Sequence, residues 1–319
     1  MKITILDAAT LGEDLIPEIP KLFSEYGEVE VRLSTLPEEI EDVTADADVV
    51  IVNKIKLSKS NLDRTDKIKL ICVTATGYDN IDVEYCKERG IAVCNVVGYS
   101  TDSVAQTTVM MALALANRLT EYTRFVKSGE YTKSGIANRL TPVYHELAGK
   151  VWGIVGAGNI GKKVAKIAEA FGCRVVVCKR KKEEGMECVD IDTLCEISDI
   201  ISVHAPLTDE TRNLINRERI AKMKNDAIFI NVARGAIADE EALADAIKED
   251  RLGGLGIDVY TVEPFASNHP FAEISGNDKV CLTPHNAWGA YEARLRCLDI
   301  ISDNIKAFLC GEKKNRVDV

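Results

Sequence analysis

Residues 151–178 constrain the fold more than any other stretch of the chain. Val151–Val155 (VWGIV) is an apolar run of strand length that leads directly into Gly156-Ala157-Gly158-Asn159-Ile160-Gly161. A helical pattern follows over Ile160–Phe171, and Arg174–Cys178 (RVVVC) reads as the next strand. Three glycines at this spacing arise often in unrelated sequences. Between a strand and a helix they have separate uses: the first permits the tight turn, the second a close backbone approach, the third close helix–strand packing. The helix N-terminus then turns its N–H groups toward an anion. The element is predicted to hold the pyrophosphate of a dinucleotide, with Gly156, Gly158, Asn159, Ile160 and Gly161 around it. The competing reading is a glycine-rich turn in an α/β domain that binds no nucleotide.

About 20 residues past such a turn, NAD-binding sheets carry an acid for the ribose 2′-hydroxyl. Here the strand runs out into Cys178-Lys179-Arg180-Lys181-Lys182, with no Asp or Glu at its tip. Cations suit a 2′-phosphate, and the planar guanidinium of Arg180 suits it best. Lys179 and Arg180 are therefore expected to favour NADP over NAD. Glu183 and Glu184 partly neutralise this loop, so a merely solvated basic segment is the alternative.

The same alternation of short apolar runs and helical patterns fills the chain. Upstream, Lys2–Leu6, Val29–Leu33, Val49–Val52, Leu70–Val73 and Ala92–Cys94 read as strands. Downstream the series continues with 200–203, 227–232, 254–260 and 279–283. Long helices are expected over Ser103–Leu119 and Tyr291–Leu309, and 121–146 shows no clean period. Strands alternating with helices predict parallel sheets with crossover helices. A length of 319 residues suggests two such units.

In an open parallel sheet, ligands bind beyond the carboxyl ends of the strands. His204 and Pro206 follow 200–203; Val232 closes 227–232, with Ala233 and Arg234 after it; Asp258 stands at the end of 254–260 with Glu263 close behind; His285 follows the last. One Arg, one Glu and one His thus converge on the edge expected to hold the dinucleotide. These types suit hydride transfer between nicotinamide and a 2-hydroxy or 2-oxo acid. Arg234 can grip the carboxylate with two parallel hydrogen bonds and polarise the carbonyl beside it. His285 can give a proton to the oxygen and take it back in reverse. Glu263 can orient the imidazole and stabilise its charged form, and Asp258 can receive the nicotinamide carboxamide. Each alone has a plain structural use, as a surface ion-pair partner or a satisfied histidine.

Charge and cysteines narrow the setting. Forty Lys and Arg against fifty Asp and Glu leave a net charge of −10, which offers no footprint for nucleic acid or anionic lipid. The ten cysteines form no C-x-x-C pair and no zinc-type spacing, so no metal is expected, and buried thiols in a reducing cytoplasm are the simplest account. The N-terminus shows no signal-peptide pattern, and the longest uncharged stretch, Ser103–Asn117, is too short to span a bilayer.

The ordered segments GIVGAGNIG, HAPLT, NVARG, GIDVYTVEP and TPHNAWGA, with VTATGYDNID and GYSTDSVAQ upstream, resemble the successive motifs of the D-2-hydroxyacid dehydrogenase family from about residue 50 to 300. Asn53-Lys54, GYSTDSVAQ and Trp288 look closest to its glycerate dehydrogenase, or hydroxypyruvate reductase, branch. The resemblance implies an α/β fold of two doubly wound parallel-sheet domains, Rossmann- and flavodoxin-like, joined by interdomain helices. Residues 1–100 with 285–319 would form a discontinuous substrate-binding domain and 101–284 the dinucleotide domain, with an arm at about 118–148 building a homodimer. It implies that Arg234, Glu263 and His285 are catalytic, and that Thr76 and Gly77 meet the substrate carboxylate through their N–H groups. Lys54 and Trp288 would lie at the substrate, and Thr107, Asn159, Ile160, Pro206, Val232 and Asp258 at the cofactor. The implied reaction is NAD(P)H-dependent reduction of a small 2-oxo acid such as hydroxypyruvate or glyoxylate. Alternatives are a reductase of bulkier 2-oxo acids and a non-catalytic dinucleotide sensor like the family's corepressors. Asn286 after the histidine and Lys179 at the acid position depart from the family pattern.

Overall fold

The structure is a computed structural model that describes residues 1–180 and 185–319. Two compact units are present, Met1–Ser100 with Gly289–Val319, and Thr101–Trp288.

The first unit is built on five parallel strands, β1 (Lys2–Ile5), β2 (Glu28–Val31), β3 (Val49–Val52), β4 (Leu70–Val73) and β5 (Ala92–Cys94), in the order β2-β1-β3-β4-β5. β3 and β4 are buried at every residue, which explains their unbroken apolar sequence: a sheet covered on both faces has no polar side to alternate with. β5 would leave an open edge, but residues 315–318 close it. The Val317 N–H donates to the Val93 carbonyl at 2.9 Å, and the Val93 N–H donates to the Asp318 carboxylate at 2.9 Å.

The second unit carries six parallel strands, β6 (Val151–Val155), β7 (Arg174–Cys178), β8 (Ile200–Val203), β9 (Ile228–Asn231), β10 (Gly254–Ile257) and β11 (Val280–Leu282), ordered β11-β10-β9-β8-β6-β7. The order reverses at β6, which pairs with β7 on one side and β8 on the other, so the glycine turn after β6 lies at the switch point where such sheets bind ligands. Alternate residues serve opposite cores. Val155, Ile201, Val203 and Phe229 face one, while Trp152, Ile154, Ile200, Ile228 and Ile230 face the other together with Met111 and Leu115 of the helix Thr101–Ala116.

Three expectations need adjustment. The helix expected over Ser103–Leu119 stops at Ala116, because Arg118 adopts a left-handed backbone (φ 54°), and new helices run over Leu119–Lys127 and Glu130–Ser134 where no period was legible. No residue of those two helices is buried, although Leu119, Tyr122 and Val126 of the first recur at helical spacing. The strands expected at 227–232, 254–260 and 279–283 are shorter at both or one end. Finally, His285–Trp288 group with the second unit rather than with residues 289–319. The Asp258 carboxylate accounts for this, since it accepts the Asn286 N–H at 3.0 Å and the Ala287 N–H at 3.0 Å.

Candidate active site

The glycine turn has the shape its spacing predicts. Gly156 has φ +92°, a conformation L side chains avoid, and a Cβ there would lie 2.6 Å from the Ala205 nitrogen. At Gly161 a Cβ would meet the Gly156 carbonyl oxygen at 2.2 Å, so only glycine lets the helix Asn159–Ala170 seat against the turn. Gly158 differs: a Cβ there would touch nothing within 4 Å. The space beside the helix N-terminus is open, as a cradle for a pyrophosphate must be. Asn159 is exposed and Ile160 half-buried at this end of the helix. On the helix Thr101–Ala116, Thr107 is half-buried.

Beyond β7, Arg180 extends into solvent and pairs with Glu210 at 3.5 Å, the two side chains 82% and 74% exposed. Both are accessible to a 2′-phosphate or a ribose hydroxyl. Lys179 is half-buried. Lys181, Lys182, Glu183 and Glu184 lie outside the described residues. Next to β8, the His204 Nε2 meets the Ser202 hydroxyl at 3.0 Å, and the same hydroxyl accepts the Trp152 indole N–H at 2.9 Å. His204 Nδ1 is buried and meets no hydrogen-bond partner among the described residues. Burial pushes this imidazole down to about 3, so it is neutral at ordinary pH. Pro206 is exposed, Val232 buried and Ala233 half-buried along the same edge.

Arg234, Glu263 and His285 follow three adjacent strands, β9, β10 and β11. Asn231 at the end of β9 braces the first of them: its carboxamide donates to the Arg234 carbonyl at 2.9 Å and accepts the Ala233 N–H at 3.0 Å. Arg234 Nη1 donates to the Ala233 carbonyl at 2.8 Å. Glu263 Oε1 accepts the Tyr260 N–H at 2.9 Å, and Glu263 Oε2 lies 2.6 Å from His285 Nδ1. The two side chains are 30% and 22% exposed, enough for the free edge of the imidazole to reach a small ligand. A carboxylate on Nδ1 fixes the tautomer and leaves Nε2 as the ring nitrogen able to exchange a proton with a ligand.

The loop bearing His285 is tightly held. His285 has φ 52°, uncommon for a residue with a side chain. Asp258 Oδ1 accepts the Thr283 hydroxyl at 2.6 Å and the Asn286 N–H, and Oδ2 accepts the Ala287 N–H. The Trp288 indole N–H donates to the His285 carbonyl at 2.9 Å, and the Ser103 hydroxyl donates to the Ala287 carbonyl. Burial pushes the Asp258 carboxyl up, and these donors oppose the shift. Asp258 thus organises the histidine loop, a use that sequence reading did not assign to it. Trp288 likewise uses its indole N–H inside this loop.

In the first unit, Thr76 and Gly77 follow β4. The Thr76 hydroxyl donates to the Val96 carbonyl at 2.8 Å and the Asn95 carboxamide donates to the Thr76 carbonyl at 2.8 Å, which fixes the turn. Lys54 is exposed after β3. Its backbone is clamped: Asp7 accepts the N–H groups of Asn53 at 2.9 Å and Lys54 at 2.7 Å, while Asn80 donates to the carbonyls of Asn53 and Ile55. Asn231, Thr283, Asp7 and Asn80 escaped the sequence reading. For Asn231 and Asp7 a signal exists, a polar residue directly closing an apolar strand run.

Residues 109–287 match the family model of the D-isomer specific 2-hydroxyacid dehydrogenase NAD binding domain. A glycerate dehydrogenase from Methylorubrum extorquens is 35% identical over 318 residues, 99% of each chain. A glyoxylate reductase from Thermococcus litoralis is 39% identical over 284 residues, 87% of this chain and 84% of that one. Among solved structures, an acyclic imino acid reductase in complex with NADPH and D-Arg superimposes with a TM-score of 0.86 at 30% identity, over 99% of this chain and 100% of that chain. The protein is an oxidoreductase with a dinucleotide-binding sheet. It belongs to the D-isomer specific 2-hydroxyacid dehydrogenase family.

Proposed function

We propose that the protein reduces a small 2-oxo acid, of the hydroxypyruvate or glyoxylate type, to the D-2-hydroxy acid with NAD(P)H. The observation that carries this reading is the 2.6 Å pairing of Glu263 with His285, on the same sheet edge as Arg234 and the glycine turn. The names of the Methylorubrum and Thermococcus relatives support the substrate class.

When bound, the nicotinamide coenzyme supplies the hydride. Gly156, Gly158, Asn159, Ile160 and Gly161 would hold its pyrophosphate, and the open space at Gly158 fits that group. Thr107, His204, Pro206, Val232, Ala233 and Asp258 are proposed to line the rest of its site. Arg234 binds the substrate carboxylate through its planar fork. Thr76 and Gly77 are proposed to offer backbone N–H groups to the substrate, and Lys54 and Trp288 are proposed as further substrate-binding residues. His285 gives its Nε2 proton to the carbonyl oxygen as the alcohol forms. Glu263 keeps the imidazole oriented and stabilises it while it is charged. In the oxidative direction His285 takes the proton back.

NADP(H) is the preferred coenzyme in this reading, with Lys179 and Arg180 reading the 2′-phosphate. The lack of an Asp or Glu directly at the tip of β7 and the NADPH held by the imino acid reductase support it. A homodimer is proposed through the arm at 118–148, where Leu119, Val126, Ile136, Leu140 and Val143 are more than half exposed. Ten free thiols support a cytoplasmic setting. Loss of nicotinamide absorbance with hydroxypyruvate and with glyoxylate, run side by side with NADPH and NADH, tests the reading. Turnover preferring NADPH is expected. Turnover confined to bulkier 2-oxo acids, or coenzyme binding without any turnover, would contradict it.

A further inference from the structure

A second histidine–carboxylate pair lies behind the Glu263–His285 pair. Glu240 opens the helix Glu240–Lys248, yet its side chain reaches away from that helix. Its Oε1 accepts the Thr261 N–H at 2.9 Å and its Oε2 meets His269 Nε2 at 3.2 Å. The two side chains are only 14% and 13% exposed. His269 Nδ1 accepts the Phe271 N–H at 3.2 Å and so carries no proton, which leaves the ring proton on Nε2, donated to Glu240. The imidazole is packed between Phe265 and Phe271, with ring centroids at 5.0 and 5.1 Å. Glu240 is therefore held in one conformation and aimed at one backbone N–H.

That N–H belongs to the Tyr260–Thr261 peptide, on which the parts of the proposed catalytic site converge. Gly235, the residue after Arg234, packs directly on it: a Cβ there would lie 2.1 Å from the Tyr260 carbonyl carbon and 2.2 Å from the Thr261 nitrogen. The Tyr260 N–H donates to Glu263, whose other oxygen holds His285. The Tyr260 hydroxyl donates at 3.0 Å to the carbonyl of Thr283, two residues before His285. Moving this peptide displaces the Arg234 turn, the Glu263 carboxylate and the approach to His285 together.

We propose that Glu240 is a positioning residue for the reduction, held by His269, which fixes the Tyr260–Thr261 peptide and through it the alignment of Glu263 with His285. It touches neither substrate nor coenzyme. The inference rests on the catalytic roles proposed above for Arg234, Glu263 and His285.

A double-mutant cycle on kcat tests it, with Glu240→Ala and His269→Asn each made in the wild-type and the Glu263→Gln backgrounds. Asn at position 269 keeps an acceptor for the N-cap of the short helix Pro270–Ile274, which His269 caps, and removes the partner of Glu240. Misalignment of this kind lowers kcat by about ten- to a hundredfold, and coenzyme Kd is expected to stay at the wild-type value. In the Glu263→Gln background the same changes are expected to cost at least about threefold less than in wild type, because one of the groups they align is already impaired. Equal fold-losses in both backgrounds, or wild-type kcat in Glu240→Ala, would overturn the proposal. Should Glu240→Ala fail to fold, His269→Asn alone carries the cycle. Wild-type enzyme inactive on every 2-oxo acid would sink the reduction reading and this inference with it; active wild type with additive losses would sink the inference alone.

Discussion

Gly158→Ala separates coenzyme binding from folding. The backbone at Gly158 (φ −78°, ψ −161°) is one that any residue adopts, and an added Cβ meets nothing within 4 Å. Two small terms then oppose each other. Alanine is a poorer N-cap than glycine, at a cost of about 0.5–1 kcal/mol, and it lowers the entropy of the unfolded chain, which returns about 0.4–1 kcal/mol. Net stability is expected to stay within about 0.5 kcal/mol of wild type, a change in Tm of no more than about 2 °C for a domain of this size. The open space is where a pyrophosphate has to approach the N–H groups of the helix, so the methyl group is expected to weaken coenzyme binding at least about tenfold, or about 1.4 kcal/mol. Gly161→Ala is the contrasting control. Its Cβ would lie 2.2 Å from the Gly156 carbonyl oxygen, and backbone overpacking of that kind costs about 3 kcal/mol or more. Calorimetric unfolding and titration of NADPH and NADH by isothermal calorimetry measure both quantities. Gly158→Ala with wild-type coenzyme affinity would refute the assignment of this turn to the pyrophosphate.

Three further outcomes are expected. Arg234→Lys lowers kcat/KM for 2-oxo acids by about a hundredfold, since an ammonium cannot reproduce two parallel hydrogen bonds; steady-state kinetics at saturating coenzyme check it, and unchanged constants would remove Arg234 from the substrate. Asp258→Ala leaves the Thr283 hydroxyl and the N–H groups of Asn286 and Ala287 without their acceptor, at about 3–6 kcal/mol for three donors, read as a large fall in the denaturant midpoint. Acid weakens the fold through His204. Burial sets its folded value at about 3 against 6.5 for an exposed imidazole, so the unfolded chain takes up a proton first as pH falls. The stabilisation is full above pH 6.5 and is lost toward pH 3, at up to about 1.4 kcal/mol per pH unit and about 2 kcal/mol by pH 5. His204→Asn is expected to flatten urea-midpoint profiles between pH 6.5 and 5, and an unchanged slope would contradict the neutral buried imidazole.

Much of the fold is written in local sequence. β3, β4 and β5 and the helix Tyr291–Leu309 coincide with their apolar runs and helical period, because burial on both faces of a sheet or along one face of a helix leaves a strong pattern. The order Arg234, Glu263, His285 was legible for the same reason, as each follows an apolar run whose end points to one edge. What sequence could not supply are hydrogen bonds made across the sheet. Nothing local in GIDVY says that Asp258 turns toward residues 283–287, yet that contact moves His285–Trp288 into the second unit. Glu240 and His269 stand 29 residues apart, and their pairing exists only because two short helices pack beside the Tyr260–Thr261 peptide. The helices at 119–134 went unread because each is short and the polar, glycine-punctuated stretch around them hides the helical spacing of Leu119, Tyr122 and Val126.

The most direct test compares wild type with His285→Ala, measuring coenzyme Kd by titration and single-turnover oxidation of NADPH with hydroxypyruvate by nicotinamide absorbance. With His285 as the proton donor, Kd is unchanged and the single-turnover rate falls by at least about a hundredfold. A variant that binds coenzyme and turns over at the wild-type rate would contradict the account.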